Sequence, residues 1–362
     1  MKLEIPPYIH TIPPYVPGKP VEELEREYGI TGSIKLASNE NPLGPSPKAL
    51  AALAAASAKL HRYPDGAGYE LTRRLARHLS ANPGQIVLGN GSDDLLGMLA
   101  RVLLQPGDEA IVPDPSFLMY TIVVQSAGAV PVKVPLNQEL AMDLPAMLAK
   151  VGPRTRMVFI CNPNNPTGTA IRREAFDDFL AALPERVLVV VDEAYFEFVR
   201  DSGCVSGLAY LAAPRTVVTL RTFSKAYGLA GLRVGYGVMD TALAELLNRV
   251  RMPFNVNTLA QVAAAAALDD DDFLKKTLAT VHQGLDFLYT ELSRRGLRYY
   301  PSQANFFLID VGRPADRVFQ ALLRQGVIVR PMGAYGYPAF IRLSVGLPEE
   351  NRRFLRALDA VL

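Results

Sequence analysis

The feature that most restricts the possible folds is a series of short apolar segments, each followed by polar or glycine-rich residues. Such segments, alternating with helical stretches, are typical of strands in a parallel sheet that is covered by helices on both faces. We predict strands at residues 85–88, 109–112, 130–134, 157–161, 187–191 and 216–220. Because ligands bind at the carboxyl ends of such strands, the polar residues that follow them are candidates for a functional site.

The last of these segments leads to Lys225, which comes after Thr222 and Ser224 and before Arg233. A lysine held at a strand end can lose its water and lie near other cations. Its pKa then falls from about 10.4 toward neutrality, and its amine can form a Schiff base with an aldehyde. The two hydroxyls and the guanidinium suit a phosphate. An aldehyde beside a phosphate indicates pyridoxal phosphate, although a surface lysine near a turn is the simpler alternative.

Residues 224–235 have the pattern Ser-Lys-x7-Arg-x-Gly. This pattern resembles the lysine segment of the fold-type I pyridoxal phosphate enzymes, the aspartate aminotransferase superfamily. The resemblance implies an α/β fold, in which a large cofactor-binding domain with a mostly parallel sheet accompanies a smaller α+β domain. A chain of 362 residues is also too long for one ordinary core. We expect a proline-rich arm and short helix at 1–33, the large domain at 34–256 and the small domain at 257–362.

A strand, a glycine turn and a predicted helix follow one another at residues 85–104. Gly91 and Ser92 lie in the turn, where free backbone N–H groups and the positive end of the helix dipole would form a phosphate cradle. The alternative is a plain turn that is capped by Ser92 or Asp93. The segment is not the dinucleotide-binding fingerprint, because the third glycine and its spacing are absent.

Asp192 ends the most apolar predicted strand, and a carboxylate there needs a partner. If that partner is the pyridine nitrogen of the cofactor, Asp192 keeps the ring protonated as an electron sink; the alternative is a carboxylate that caps a loop. Tyr195 and Asn165 could donate to the oxygen of the ring and so lower the pKa of the bound cofactor. Phe117 could stack on the ring, or it could simply belong to the core.

Two arginines lie near the carboxyl terminus in apolar strand patterns, Arg330 after residues 327–329 and Arg342 after residues 340–341. An arginine in such a strand is usually paired with an anion. A substrate carboxylate or phosphate would serve, held by the planar fork of the guanidinium. An internal salt bridge is the alternative for each of them.

Composition excludes several classes of function. The formal net charge of +2 gives no reason to propose nucleic acid or an anionic membrane as a partner. Cys161 and Cys204 have no metal-type spacing and imply no disulfide framework, and the four histidines are scattered. We therefore expect no metal. The amino terminus lacks the apolar core of a signal peptide, and no segment is long enough to span a membrane, so we expect a cytoplasmic protein.

Further motifs are similar to those of one branch of this superfamily, the histidinol-phosphate aminotransferases. The resemblance covers nearly the whole chain. It rests on Tyr-Val-Pro-Gly-Lys-Pro at residues 15–20, Asn-Glu-Asn-Pro-Leu-Gly at 39–44, Arg-Tyr-Pro-Asp at 62–65, Asn-Gly-Ser at 90–92, Asn-Pro-Asn-Asn-Pro-Thr-Gly at 162–168, Asp-Glu-Ala-Tyr at 192–195, Val-Arg-Pro-Met at 329–332 and Ile-Arg-Leu-Ser-Val-Gly at 341–346. Phe117 departs from the pattern, because many relatives have tyrosine there.

Residues 1–20 are proline-rich, and we expect an extended arm without a helix.

The resemblance implies a homodimer in which Tyr63 reaches the cofactor phosphate of the neighbouring subunit. It also implies cofactor-phosphate ligands at Gly91, Ser92, Thr222, Ser224 and Arg233, and substrate contacts from Tyr15, Asn165, Arg330 and Arg342. The implied reaction, in histidine biosynthesis, transfers the amino group of L-histidinol phosphate to 2-oxoglutarate, giving imidazole-acetol phosphate and glutamate. Lys225 would be the general base, with Asp192 and Tyr195 as the other catalytic residues.

Three alternatives remain open from the sequence. A threonine-phosphate decarboxylase and an aromatic or broad-range aminotransferase share this fold and cofactor. A regulator that binds pyridoxal phosphate without catalysis is a different class of protein. It would need a DNA-binding module, and we expect none, because the sequence shows no spare segment or basic patch for one.

Overall fold

The structure is a computed structural model that describes residues 3–213 and 216–362. Of the arm that we expect at residues 1–20, Met1 and Lys2 lie outside the described residues. No helix in the described residues combines the length and the apolar character that a membrane span requires. The domain boundaries that we expect from the sequence stay predictions.

The described strands belong to three sheets. In chain order they are β1 Ile34–Lys35, β2 Ile86–Gly89, β3 Glu109–Asp114, β4 Val130–Pro135, β5 Thr155–Cys161, β6 Leu188–Asp192, β7 Val217–Thr222, β8 Gly235–Val238, β9 Arg298–Tyr300, β10 Phe306–Asp310, β11 Val327–Ile328, β12 Arg330–Pro331 and β13 Phe340–Ser344. The six strands predicted between residues 85 and 220 are all present, with ends that differ by one or two residues.

The described α-helices surround these sheets. They are α1 Val21–Tyr28, α2 Pro47–Ala56, α3 Tyr69–Leu79, α4 Ser92–Leu103, α5 Met119–Ser126, α6 Leu144–Ala149, α7 Arg173–Ala182, α8 Thr241–Val250, α9 Thr258–Ala267, α10 Asp271–Arg294, α11 Ala315–Arg324 and α12 Pro348–Val361. Several begin with local capping, as in α9, where the Asn257 side chain accepts from the backbone N–H of Ala260.

The largest sheet has the strand order β2-β8-β7-β6-β5-β3-β4. Every neighbouring pair is parallel except the two pairs that β8 makes, which are antiparallel. The prediction of a mostly parallel sheet is therefore confirmed. The sequence did not predict β8, because its Gly-Tyr-Gly-Val composition lacks the continuous apolar run of its neighbours.

The central strands are mostly apolar because helices cover both faces. Successive side chains of a strand point to opposite faces. Met157 and Phe159 of β5 accordingly belong to the cluster that contains core residues of α4, α5 and α8. Val158 and Ile160 belong to the cluster with core residues of α6 and α7. This arrangement leaves the carboxyl ends of β5, β6 and β7 side by side.

The carboxyl-terminal part of the chain forms a four-stranded antiparallel sheet with the order β12-β13-β10-β9. We predicted a single strand at residues 327–330, and this is wrong. Val327–Ile328 pairs with β1 in a separate two-stranded sheet, whereas Arg330–Pro331 pairs with β13. The chain changes sheets between these two pairs. As a consequence, Arg330 becomes the register partner of Arg342.

The expectation of an arm without a helix is also wrong at one place, because Pro7–Thr11 forms a 3-10 helix. Pro6 precedes the helix and Pro7 is its first residue. Proline is tolerated at that position, since the missing N–H would have no intrahelical acceptor and its fixed φ suits a helical turn. The Thr11 hydroxyl closes the turn by donating to the Tyr8 carbonyl at 2.8 Å.

A buried ion pair joins the carboxyl ends of β6 and β7. The carboxylate of Glu193 has no exposed surface, and it accepts from Nε and Nη2 of Arg221 at 2.9 and 2.7 Å. The Gly207 N–H and the Ser206 hydroxyl satisfy its remaining acceptor sites. The pair lies directly beside Asp192 and Thr222 in sequence, so it fixes two strand ends of the candidate site.

We expect Arg221→Ala to lower the free energy of unfolding by about 3–5 kcal/mol, because it leaves the Glu193 charge buried without a partner. Urea unfolding of the cofactor-free protein measures this loss. Arg172→Ala is the matched control, since Arg172 and Asp201 form a solvent-exposed pair that contributes at most about 1 kcal/mol. Equal stability of the two variants would contradict the assignment.

Candidate active site

A cavity lies at the carboxyl ends of β5, β6 and β7, facing β12 and β13 of the antiparallel sheet. Most of the residues that we predict for the site line this cavity. The fold brings them together from distant parts of the chain. These are Tyr15, Ser92, Phe117, Asn165, Asp192, Tyr195, Thr222, Ser224, Lys225, Arg233, Arg330 and Arg342. The sequence analysis assigned no site role to the other lining residues, namely Gly18, Ala37, Ser38, Asn39, Asp93, Cys161, Ala194 and Tyr335.

Lys225 follows β7 and lies half-buried in the cavity. Its ammonium donates to the Ser38 carbonyl at 3.1 Å. Burial, together with the positive charge of Arg342, lowers the pKa of Lys225 to about 8. An appreciable fraction of this amine is therefore neutral near pH 7, which a nucleophile or a general base requires.

The hydroxyls of Thr222 and Ser224 and the guanidinium of Arg233 converge on one corner of the cavity. The Thr222 hydroxyl donates to the Ser224 Oγ at 3.0 Å, and Arg233 Nη1 donates to the same oxygen at 3.2 Å. Arg233 also lies 3.4 Å from a carboxylate oxygen of Asp93. These donors form one side of a pocket that suits an anion.

The amino terminus of α4 forms the other side of this corner. Gly91 precedes the helix with φ +81°, and no side chain caps the helix, so the capped-turn alternative is not observed. A Cβ built on Gly91 would lie 2.5 Å from Arg233 Nη2, so any larger residue would push the guanidinium aside. The free N–H groups of the first helical turn and Arg233 thus form a cradle for a phosphate-sized anion.

Asp192 ends β6 and is almost completely buried, with 3% of its surface exposed. One carboxylate oxygen accepts from the Tyr120 hydroxyl at 2.8 Å, and the other accepts from the Ala194 N–H at 3.2 Å. Burial raises the pKa of Asp192 to about 6. No basic side chain in the described residues pairs with it, so a cation inside the cavity would complete its environment. The sequence analysis missed Tyr120, which no local pattern connects with Asp192.

Tyr195, Asn165 and Phe117 lie around Asp192. The Tyr195 hydroxyl accepts from the Asn39 side-chain amide at 3.0 Å. The side-chain oxygen of Asn165, Oδ1, accepts from Arg342 Nη1. The Phe117 ring meets Tyr120 edge to face, with ring centroids 5.6 Å apart. A flat ring bound in the cavity would therefore lie close to an aromatic ring, a side-chain amide and a phenolic hydroxyl.

Arg330 and Arg342 face the same cavity from adjacent strands. Arg342 is 7% exposed, and its Nη2 donates to the Ala37 carbonyl at 2.7 Å, whereas its buried Nε has no partner. Arg330 donates to the Val16 carbonyl at 3.1 Å. Within the ranges 3–213 and 216–362, neither arginine forms a salt bridge, so the internal ion pairs that we considered are not present. A buried guanidinium without a carboxylate favours binding of an external anion.

Tyr63 does not line the cavity of its own chain. Its side chain is 84% exposed and stacks on Phe254, with ring centroids 4.8 Å apart. Met252, Leu60 and Tyr69 are also exposed apolar residues. A role for Tyr63 at the cavity of a partner chain stays a prediction.

The comparisons with known proteins agree in the kind of protein they find. The family model described as aminotransferase class I and II matches residues 31–358. Histidinol-phosphate aminotransferase 2 of Pseudomonas aeruginosa is 51% identical to this chain over 358 residues, which is 98% of this chain and 97% of that relative.

Solved structures give the same result for the fold. The crystal structure of histidinol-phosphate aminotransferase from Sinorhizobium meliloti in complex with pyridoxal-5'-phosphate matches with a TM-score of 0.91 and 31% identity, over 99% of this chain and 97% of that one. A double mutant of Thermus thermophilus aspartate aminotransferase matches with a TM-score of 0.86 and 25% identity, over 99% and 100% of the two chains.

Proposed function

Since the chain belongs to the class I and II aminotransferases, and within them to the histidinol-phosphate aminotransferase branch, we propose that it transfers the amino group of L-histidinol phosphate to 2-oxoglutarate. The products are imidazole-acetol phosphate and glutamate, in a step of histidine biosynthesis. The fold is that of the fold-type I aminotransferases, and the cofactor of this family is pyridoxal phosphate. The observation that carries the proposal is one cavity that holds a half-buried lysine, a buried aspartate and two arginines that have no carboxylate partner among the described residues.

The residues of the cavity fit the groups of this cofactor. The phosphate of the cofactor would lie in the corner between the α4 amino terminus and the donors that follow β7. The residues that would hold it are Gly91, Ser92, Thr222, Ser224 and Arg233. Asp192 would face the ring nitrogen, Tyr195 and Asn165 the ring oxygen, and Phe117 one face of the ring. When bound, pyridoxal phosphate supplies an electron sink that makes the Cα–H bond of an amine substrate acidic.

Lys225 is the group that can move this proton. Its Nζ, with a pKa lowered to about 8, can accept a proton from the substrate Cα at neutral pH. Tyr195 and Asp192 stay fixed by the hydrogen bonds described above while Lys225 acts.

Arg330 and Arg342 support recognition of both substrates. A phosphate ester enters in one half-reaction and two carboxylates in the other, and the common feature of these substrates is their anionic oxygens. Two guanidinium groups on adjacent strands can bind either set by bidentate hydrogen bonds. Tyr15, on the same wall of the cavity, would complete the substrate contacts.

The proposal includes a homodimer with shared active sites, in which Tyr63 donates to the cofactor phosphate of the partner chain. Its exposed ring, stacked on the exposed ring of Phe254, supports a contact with a second copy. The expected location in the cytoplasm also remains part of the proposal.

A half-reaction tests the function directly. The protein loaded with pyridoxal phosphate is mixed with L-histidinol phosphate in the absence of a keto acid, and its visible absorbance is followed. We expect the band of the aldehyde form to be replaced by that of the amine form, and 2-oxoglutarate to restore it. L-Histidinol, which lacks the phosphate, is the matched control. Its kcat/KM should be lower by roughly 10²- to 10³-fold, because the charge-assisted bonds to arginine are lost.

Other outcomes would identify the alternatives. Release of carbon dioxide from threonine phosphate would establish the decarboxylase. Fast conversion with phenylalanine and none with L-histidinol phosphate would establish an aromatic or broad-range aminotransferase. An absorbance band that no amine changes would contradict every aminotransferase assignment and would support the regulator.

A further inference from the structure

Asn39 occupies an unusual position beside the Tyr195 hydroxyl. It follows β1 in the loop that forms one wall of the cavity, it is 2% exposed, and its backbone has φ +56°. Asparagine is among the few residues with a side chain that adopt this left-handed region readily. The Asn39 carbonyl accepts from the Asn305 amide at 3.0 Å, so the backbone is held in place as well.

The hydrogen bonds around Asn39 determine which way its amide faces. The Asn39 backbone N–H donates to the Ser344 Oγ at 2.9 Å, and the Ser344 hydroxyl donates to Asn39 Oδ1 at 2.9 Å. If the amide were reversed, the Ser344 oxygen would accept from two N–H groups, and its own proton would have no acceptor in this pair. The orientation with Oδ1 toward Ser344 satisfies every group, so Nδ2 must face Tyr195.

The direction of this bond fixes the direction of the next one. Asn39 Nδ2 can only donate, so the Tyr195 oxygen accepts at 3.0 Å. Burial raises the pKa of Tyr195, which keeps the phenol protonated. In the described parts of the chain, Asn39 is the one hydrogen-bond partner of this hydroxyl, and Tyr195 lines the cavity. Its proton is therefore free for an acceptor inside the cavity.

We propose that Asn39 is a positioning residue, oriented by Ser344, that makes the Tyr195 hydroxyl a hydrogen-bond donor toward the bound cofactor. The acceptor would be an anionic oxygen on the ring of that cofactor. The proposal rests on the proposed function because it concerns the same cavity. Its test uses no amine substrate, however, so a wrong substrate assignment would leave the test intact.

Asn39→Asp reverses the polarity of the contact while it keeps the size of the side chain and the tolerance for positive φ. A carboxylate can only accept, so the Tyr195 proton turns away from the cavity toward residue 39. The introduced carboxylate should stay ionised, because the Arg342 guanidinium binds the Ala37 carbonyl in the same loop and the Ser344 hydroxyl donates to the side chain of residue 39. Asn39→Gly removes the amide without adding a charge.

The readouts are the pH titration of the visible band of the loaded protein and the dissociation constant of pyridoxal phosphate, measured by equilibrium dialysis. A hydrogen bond donated to the anionic ring oxygen stabilises the deprotonated form of the chromophore, so the loss of this bond raises the pH at which the band titrates. We expect Asn39→Asp to raise the midpoint of the titration by about one to two pH units and to weaken cofactor binding about tenfold or more. Asn39→Gly should shift the titration midpoint and the dissociation constant of the cofactor in the same directions, but by smaller amounts.

The double variants decide whether Asn39 acts through Tyr195. In a Tyr195→Phe background, Asn39→Asp should add little to the shift of Tyr195→Phe alone. A full additional shift would mean that the new charge acts directly, and unchanged titrations in both Asn39 variants would also overturn the proposal. If Asn39→Asp does not fold, Ser344→Ala provides the same test. It frees the amide to reverse, and it should raise the midpoint only when Tyr195 is present.

Discussion

Lys225→Ala is expected to lower the turnover of L-histidinol phosphate by at least about 10⁴-fold, because it removes the proposed general base. No other described residue places an amine there. Steady-state kcat with a coupled glutamate assay measures the loss. Lys225→Arg is the matched control. It keeps a positive charge next to Ser38 but has a guanidinium that does not lose its proton, so it should be inactive as well.

A second measurement separates the chemistry of Lys225 from its charge. Because the pKa of Lys225 is lowered to about 8, peptide mapping of the cofactor-free protein after reaction with trinitrobenzenesulfonate should show Lys225 labelled ahead of the other lysines. The reaction rate should rise with pH through about 8, since only the neutral amine reacts. Exposed lysines should follow at pH values near 10. No lysine should be labelled early in Lys225→Ala, and early labelling of a lysine there would assign the lowered pKa to another residue.

Asp192→Asn is expected to lower kcat/KM by roughly 10³-fold. Two opposite unit charges about 4 Å apart attract by about 4 kcal/mol at an effective dielectric of 20, and this substitution removes one of them while it preserves the shape of the side chain. Cofactor affinity should fall with the activity. Undiminished binding of pyridoxal phosphate by Asp192→Asn would show that no cation faces this residue.

The raised pKa of Asp192 adds a pH dependence with a definite sign. In the cofactor-free protein the carboxyl titrates at about 6. Below this pH it is protonated and cannot pair with a cation, so pyridoxal phosphate should bind more weakly as the pH falls through 6. Asp192→Asn should lack this decline. Tyr120→Phe removes a donor to the carboxylate, so its decline should begin at a higher pH.

The sequence predicted the large sheet well because its signal is local. A strand buried on both faces needs apolar side chains at consecutive positions, and β5 from Met157 onward and β6 up to Val191 meet this condition. The helix-covered parallel arrangement then follows from the alternation of strands and helices. β8 was missed because a glycine-rich, tyrosine-containing segment has no such run. The split of β11 from β12 was missed because the apolar pattern continues across the change of sheet.

The candidate site could be predicted only where its residues stand in one motif or at the end of one predicted strand. Lys225 and Arg233 belong to a single segment, and Asp192 attracts notice as a carboxylate that ends an apolar strand. Tyr120 carries no such signal, since an aromatic residue on an apolar helix is normally a core residue. Asn39 lies in a quoted motif, but its role depends on Ser344, which is 305 positions away in the chain.

By itself the sequence determined the strand-helix alternation, the polar strand ends and the spacing of the lysine segment, because neighbouring residues set these features through backbone geometry and burial. Only the tertiary structure decided which polar atoms meet. It made Arg330 and Arg342 register partners, and it joined Tyr120 to Asp192 and Asn39 to Tyr195 across 72 and 156 positions. A side-chain hydrogen bond needs its two atoms within about 3 Å in a suitable direction. Between distant residues, that condition is set by how the sheets and loops pack.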